Sequence, residues 1–153
     1  MREFKKMKRI VNEMKLRLPA ISVNEGVARA IISAFVAELN PKIEEIADIR
    51  CAVSEAVTNA IVHAYKSAPE GKVSYFYISA RLYESREFTV EISDSGCGIE
   101  DVARAMQKGY TSGAPGERSG MGFLVMESFM DSLSVKSKPG RGTRVLMRKI
   151  LTP

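Results

Sequence analysis

The sequence contains few of the residues that build metal centres and disulfide frameworks. Its 153 residues include two cysteines, Cys51 and Cys97, one histidine, His63, and no tryptophan. Two distant cysteines and one histidine exclude a zinc cluster and a disulfide scaffold. No apolar run approaches the ~20 residues of a membrane span, and the basic first residues lack the apolar stretch of a signal peptide. We therefore expect a cytosolic protein that does not enter the membrane.

The chain has the length and composition of one globular domain. It is 45% hydrophobic and 27% charged, which is too apolar for a disordered chain. Its net charge is +5, but five of the basic residues lie within residues 1–9. We therefore divide the chain into a basic N-terminal extension, residues 1–13, and a single domain, residues 14–153. Because the domain sequence shows no basic stripe, direct binding to nucleic acid is not expected.

Apolar periodicity and turn residues predict alternating strands and helices. The predicted strands are 14–20, 73–82, 88–94, 132–137 and 143–151. The predicted helices run from Ser22 or Asn24 to Leu39, from Pro41 to Tyr65, from Ile99 to Met106 and from Gly120 to Met130. The first helix has an apolar stripe formed by Val27, Ile31, Phe35 and Leu39. Strands adjacent in sequence favour a two-layer α/β sandwich, with a mixed, mostly antiparallel sheet and helices on one face.

The second helix carries polar residues at helical spacing. Glu55, Asn59 and His63 lie at positions i, i+4 and i+8, which places them on one face. The opposite arc is small and apolar enough to pack on a sheet; it consists of Val53, Ala56, Val57, Ala60, Ile61 and Ala64. The polar face is either the solvated side of an ordinary amphipathic helix or the wall of a ligand site.

Asp94 ends a predicted strand in the phase of its apolar residues. Phe88, Val90 and Ile92 share one face, and Asp94 continues it. A carboxylate on the core side must find hydrogen-bond donors or shift its pKa. The glycines that follow, Gly96 and Gly98, allow close approach of the backbone. A strand-ending Asp turn and a binding site are both compatible with this pattern.

A third pattern lies at the start of the predicted helix at residue 120. Gly120 and Gly122 at a helix N-terminus leave backbone N–H groups free to face an anion, and Arg118 can bind phosphate oxygens. The spacing fits neither a Walker A loop nor a Rossmann fingerprint. Residues 108–119 contain several glycines and no apolar periodicity, which predicts a long mobile loop.

Together these motifs resemble a known superfamily. They occur in the order Glu55-x3-Asn59, Asp94-x-Gly96-x-Gly98, Gly120-x-Gly122 and Gly142-Thr143. This order resembles the Bergerat ATP-binding fold of gyrase-type ATPases, Hsp90, sensor histidine kinases and mismatch-repair ATPases, over almost the whole chain from about Met14. SEAVTNAIVHAY and ERSGMGFLVMESFMD are similar to the small anti-sigma serine kinases, in particular the anti-sigma F group of sporulating bacteria. Both His63 and Arg29 occur at positions typical of that group.

The resemblance implies a nucleotide site for ATP or ADP with Mg²⁺. Asp94 would accept a hydrogen bond from the adenine amino group, with Thr143 nearby, and Gly96 and Gly98 would let the chain pass close to the base. Asn59 would hold Mg²⁺. The phosphates would meet backbone N–H groups and one guanidinium, supplied by Gly120, Met121, Gly122 and Arg118.

The resemblance also implies chemistry and partners. Glu55 would accept the proton of a substrate serine hydroxyl, and residues 108–119 would form a lid ordered by nucleotide. The chain would inhibit a sporulation sigma factor of RNA polymerase, phosphorylate a serine of an anti-anti-sigma protein, form a homodimer and contact partners through Arg29. Alternatives are a stress-response switch kinase, a sigma-sequestering module without kinase activity and a sensor-kinase fragment.

Overall fold

The computed structural model describes residues 8–66, 68–107 and 122–153. The strands are β1 (Ile10–Pro19), β2 (Tyr75–Tyr83), β3 (Glu87–Asp94), β4 (Ser132–Lys138) and β5 (Gly142–Ile150). The helices are α1 (Val23–Val36), α2 (Ile43–Thr58), α3 (Val102–Ala105) and α4 (Gly122–Phe129). A 3₁₀ turn, Ala37–Leu39, follows α1, and a π-helical turn, Asn59–His63, extends α2. None of the described helices is both long and apolar enough to cross a membrane.

The five strands form one sheet in the order β1-β2-β3-β5-β4. Each neighbouring pair is antiparallel, so the sheet is antiparallel throughout rather than mixed. Alternate residues of β2, β3 and β5 are buried against the helices, as expected for a sheet with one covered face. The predicted two-layer α/β sandwich is therefore confirmed.

The core lies between the inner face of the sheet and the helices α1, α2 and α4. Ile92 pairs with Ile78 of β2 on one side and with Val145 of β5 on the other, and all three are buried. Phe76 and Phe88 are fully buried in the same layer. Burying an aromatic side chain of this size contributes about 1.5–3 kcal/mol, and Phe76, which pairs with Asp94, packs the sheet at that end of β3.

The first strand and the buried stripe of α1 differ from the sequence-based expectation. The first strand begins at Ile10 rather than at Met14. In α1 the buried stripe is Ala28, Ile32 and Val36, whereas Val27 is 38% exposed. A shift of one residue turns a helix by about 100°. Because the residues beside the buried stripe are also apolar, the sequence pattern favoured the neighbouring stripe equally.

Glu45 ties the start of α2 to the C-terminal end of the chain. Its Oε1 accepts a hydrogen bond from the backbone N–H of Lys42 at 3.0 Å, and its Oε2 accepts one from Thr152 at 2.9 Å. Burial raises the pKa of Glu45, but these hydrogen bonds outweigh burial and leave the pKa below its usual value. The carboxylate therefore stabilises the fold above the ordinary glutamate range, and this stabilisation is lost as the pH falls through the lowered pKa.

We expect Glu45→Gln to lower the free energy of unfolding by about 1–2 kcal/mol at neutral pH, because an amide places a donor opposite one of two N–H donors. Urea denaturation should show this difference near pH 7, and the difference should disappear as the pH falls through the lowered pKa of Glu45 and the native carboxyl becomes protonated as well. Glu44→Gln, on the exposed side of the same turn, is the control. A difference that persisted at low pH would contradict the carboxylate's role.

Candidate functional site

The polar side of α2 faces the first residue of α4. A Cβ atom placed on Gly122 would lie 3.2 Å from Glu55 Oε2 and 3.8 Å from Asn59 Oδ1. Any side chain at position 122 would therefore occupy the space beside these two oxygens. Neither the Glu55 nor the Asn59 side chain makes a hydrogen bond to another residue that the structure describes. Glu55 and Asn59 thus lie beside Gly122, and their roles toward a ligand stay a prediction.

The end of α2 widens into the π-helical turn Asn59–His63, where the sequence predicts continuous α-helix. The backbone N–H of Ala64 donates to the carbonyl of Asn59 at 3.0 Å, five residues back instead of four. The carbonyl of Ala64 then accepts a hydrogen bond from Cys97 N–H at 2.8 Å. Single π-helical turns are frequently found at functional sites, and this one joins α2 to the loop after Asp94.

Asp94 stands at the end of β3, as predicted. Its Oδ1 accepts hydrogen bonds from the backbone N–H groups of Gly96 at 3.0 Å and Thr143 at 3.2 Å. Its Oδ2 accepts none from the described part of the chain. Burial raises the pKa of Asp94, and the two N–H donors counter part of that rise. The loop therefore holds one oxygen of the Asp94 carboxylate, and a role of the other oxygen toward a ligand stays a prediction.

The glycines around Asp94 pack against the protein's own backbone. A Cβ on Gly96 would lie 2.1 Å from the carbonyl oxygen of Ala64, and one on Gly98 would lie 2.1 Å from that of Lys138. A Cβ on Gly142, whose φ is +90°, would lie 2.0 Å from the carbonyl oxygen of Asp94. These contacts supply a protein-internal reason for glycine at each position. An additional approach of Gly96 and Gly98 to a base stays a prediction.

We expect Gly96→Ala to destabilise the fold by about 2–4 kcal/mol, because the new methyl group meets a backbone carbonyl that cannot move without breaking its hydrogen bond to Cys97. Thermal unfolding followed by circular dichroism measures the loss. The matched control is Gly26→Ala in α1, where the nearest atom to the new Cβ, at 3.8 Å, belongs to a flexible arginine side chain. That variant should be as stable as the original or more so. Equal stability of the two variants would contradict the close packing.

Two hydroxyl groups that the sequence reasoning missed hold this region together. The Tyr65 hydroxyl donates to the carbonyl of Tyr75 and accepts from Ser95 N–H at 2.8 Å. The Ser137 hydroxyl accepts from Ile99 N–H at 2.7 Å and lies 2.8 Å from Thr143 Oγ1. Ser137 could have been found in the sequence, because it continues the inward phase of Leu133 and Val135 as Asp94 does in β3. No comparable signal marks Tyr65.

The remaining predicted residues are placed in part. In α1, Arg29 Nη1 lies 3.0 Å from Glu25 Oε1 and 3.3 Å from the hydroxyl of Ser54, next to Glu55 in sequence. His63 belongs to the π-helical turn, and its carbonyl accepts a weak hydrogen bond from the Cys97 thiol at 3.5 Å. The predicted lid and three predicted phosphate-binding residues lie outside the described residues; the latter are Arg118, Gly120 and Met121.

An open cavity of about 710 Å³ reaches the ends of β3, β4 and β5. Its volume is within the range of small-molecule sites. Its described walls include Asp94, Gly142 and Thr143, but not Glu55 or Asn59. The cavity therefore lies beside Asp94, and its use by a nucleotide stays a prediction.

The arrangement of the described side chains indicates which kind of metal coordination is possible at this site. Within residues 8–66, 68–107 and 122–153, no three His, Cys, Asp or Glu side chains are grouped closely enough to form a metal cage. Mg²⁺ needs no such cage, because it usually binds through one or two protein oxygens, water and substrate phosphates. The amide of Asn59, whose nitrogen and oxygen would lie 3.7 and 3.8 Å from a Cβ on Gly122, contains one oxygen that suits that kind of coordination.

Comparison with known proteins agrees with the fold and the motifs. Residues 18–149 match the family described as the histidine kinase-like ATPase domain. The anti-sigma F factor of Clostridium acetobutylicum is 50% identical over 138 residues, which cover 90% of this chain and 93% of that protein. The anti-sigma F factor of Caldanaerobacter subterraneus is 50% identical over 140 residues, which cover 92% and 94%.

Solved structures share the fold at lower identity. The RsbU and RsbW domains of Rv1364c from Mycobacterium tuberculosis match with a TM-score of 0.67 and 20% identity, over 93% of this chain and 33% of that one. Full-length ShkA in complex with AMPPNP matches with a TM-score of 0.55 and 14% identity, over 89% and 31%. At half identity over nearly the full length of its relatives, the chain belongs to the anti-sigma F factor family of histidine kinase-like ATPase domains.

Proposed function

We propose that this protein binds ATP with Mg²⁺, transfers the γ-phosphate to a serine of an anti-anti-sigma protein, and binds and inhibits a sigma factor of RNA polymerase. The observation that carries the proposal is the meeting of Glu55 and Asn59 with Gly122 at the start of α4. It brings an open carboxylate and an open amide to a helix N-terminus, where anions bind.

In this proposal Glu55 is the general base. The serine oxygen attacks the γ-phosphorus, its proton passes to the Glu55 carboxylate, and ADP leaves. Catalysis of phosphoryl transfer consists mainly of positioning and charge stabilisation, so a fixed carboxylate beside the phosphate site is the main requirement on the protein. The carboxylate of Glu55 lies beside Gly122, and no hydrogen bond to another described residue occupies it.

The other site residues bind the nucleotide. Asp94 Oδ2 accepts a hydrogen bond from the adenine amino group, while Oδ1 keeps its hydrogen bonds from the backbone N–H groups of Gly96 and Thr143. Asn59 supplies one oxygen to Mg²⁺, and the ion offsets negative charge on the phosphates. Gly122, with Gly120 and Met121 before it, offers backbone N–H groups to the phosphates, and Arg118 binds the terminal phosphate.

The partners follow from the names of the relatives. The proteins that are about 50% identical to this chain are called anti-sigma F factors, so a sporulation sigma factor in the cytoplasm is the proposed target. In this proposal Arg29 of α1 contacts the partners. Its guanidinium is held by Glu25 and by Ser54, the residue before Glu55 in α2. A homodimer, as in the group that the sequence resembles, is part of the proposal.

The test is a transfer assay and a pull-down on one preparation. With γ-labelled ATP and Mg²⁺, the protein should place label on serine of the anti-anti-sigma protein from the same genome, and EDTA should abolish the transfer. An immobilised sporulation sigma factor should retain the protein. Retention without transfer would leave a sigma-sequestering module, and retention by a stress-response sigma factor instead would identify the related switch kinase.

A further inference from the structure

The sheet brings three basic residues into one row that no segment of the sequence shows. Strand pairing places five residues next to one another across the outer face, one from each strand: Arg17, Tyr77, Ser93, Arg144 and Lys136. Their chain neighbours Phe76, Ile92 and Val145 point into the core, so the row lies on the face that the helices leave open. We call these five residues the basic row.

The row carries positive charge without matching negative charge. Arg17, Arg144 and Lys136 are exposed, and exposed Lys138 and Arg141 continue the charge into the β4–β5 turn. Only Arg144 has an acidic partner, Glu91 at 3.4 Å, and its side chain is still 63% exposed. In the described residues, the other four cations of this end of the sheet make no ion pair.

Further along the same face the cations are paired with carboxylates, although Lys8 and Arg148 share that of Glu87. Four residues toward the other end of the strands, Arg81 pairs with Glu13 at 2.7 Å and Arg148 pairs with Glu87 at 3.3 Å. Arg144 and Lys136 lie on neighbouring strands, about 4.8 Å apart, whereas Arg17 lies three strands away from Arg144. This end of the face therefore has a net charge that a negatively charged partner would relieve.

Large apolar groups accompany the charge. Tyr77 is 40% exposed within the row, and Leu146, on the same face, is 42% exposed. Tyrosine and arginine beside exposed apolar surface are typical of the energetically important part of a protein interface. The guanidinium of Arg17 lies 4.6 Å from the ring centre of Tyr75 and covers it. The covered ring of Tyr75 is therefore less available for stacking on a nucleic-acid base, which favours a protein partner.

We propose that the basic row, together with Lys138 and Arg141, is a docking surface for an acidic extended segment of a partner protein. Four of these residues, Lys136, Lys138, Arg141 and Arg144, line the cavity that reaches Asp94, so the segment would enter along its rim. Electrostatic complementarity of this kind sets the association rate and the choice of partner. This surface is separate from the Glu55 face of α2 and does not depend on the proposed kinase activity.

The test uses the full chain and a fluorescein-labelled 12-residue peptide of alternating glutamate and threonine. Fluorescence anisotropy at low salt should show saturable binding that weakens with added salt, as expected for exposed charges. The double variant Lys136→Glu and Arg144→Glu should raise the dissociation constant at least about tenfold. The control Arg50→Glu reverses one exposed charge on α2, across the molecule, and should leave binding unchanged. Circular dichroism establishes that each variant is folded.

Four outcomes would overturn the proposal. The first is absence of saturable peptide binding, and the second is equal binding by the double variant. The third is tighter binding of a 12-nucleotide oligothymidylate than of the acidic peptide. The fourth is self-association of the original protein that only the double variant lacks. The third outcome would make the row a nucleic-acid surface and the fourth a contact between two copies of the chain. If charge reversal unfolds the protein, Lys136→Gln with Arg144→Gln gives the same comparison, with an expected weakening of about threefold or more.

Discussion

Replacing Glu55 with glutamine should reduce serine phosphorylation by about 10²-fold or more while leaving nucleotide binding nearly unchanged. Glutamine keeps the size of the side chain and most of its hydrogen-bonding capacity but cannot accept the serine proton. Since Glu55 is hydrogen-bonded to no other described residue, the change should not cost stability. Single-turnover transfer rates, measured with saturating ATP and Mg²⁺, separate the chemical step from binding.

Two further variants make this result specific. Glu127→Gln removes an exposed carboxylate on α4 and should transfer phosphate at the original rate. Asn59→Ala removes the proposed Mg²⁺ ligand and should weaken nucleotide binding as well as transfer, because the metal acts on both. Transfer by Glu55→Gln at the original rate would remove Glu55 from the role of general base, whatever the other variants do.

Asp94→Asn should weaken binding of adenine nucleotides by about 10- to 100-fold. The amide oxygen can still accept from Gly96 and Thr143, which preserves the loop, but the amide nitrogen then presents a donor where Oδ2 presented an acceptor. A buried donor facing the adenine amino group costs about 1–3 kcal/mol, which corresponds to the expected loss. Calorimetric titration with ADP measures the affinity without turnover.

The ratio of affinities for ADP and GDP distinguishes base recognition from general damage. Guanine carries an acceptor where adenine carries its amino group, so Asp94→Asn should lower the preference for adenine. A loss that is equal for both nucleotides would indicate a distorted loop instead. Asp101→Asn, at the N-cap of α3, is the control, and affinity for ADP near the original value in folded Asp94→Asn would exclude Asp94 from the site.

The parts of the site that could be predicted from the sequence depend on local periodicity. Glu55 and Asn59 are one helical turn apart, and the helix is regular up to Asn59, so their common face follows from spacing alone. Asp94 follows in the same way from the alternation of β3. In α1, by contrast, Val27 and Ile31 are as apolar as Ala28 and Ile32, and only packing against α2 and the sheet selects the buried stripe.

Contacts between distant segments were beyond sequence reasoning. Glycine at 96 and 98 indicated that something comes close, but not that it is the carbonyl groups of Ala64 and Lys138. The basic row was missed for the same reason. Its members are contributed one from each strand, and a search for clustered charge along the chain cannot find charges that cluster only through strand pairing.

The π-helical turn at Asn59–His63 makes the number of residues in this segment as important as their identity. It holds one residue more than an α-helical turn would, and that residue sets where Ala64 and Tyr65 fall. Deleting one residue here would relax the helix to its commoner form, yet it would rotate the Tyr65 hydroxyl away from Ser95 and Tyr75. Alignments and chimaeras of related domains should therefore keep the spacing between Asn59 and the Asp94 loop fixed. Conservative substitutions in this turn, other than at Asn59, should therefore cost the fold less than a change of length.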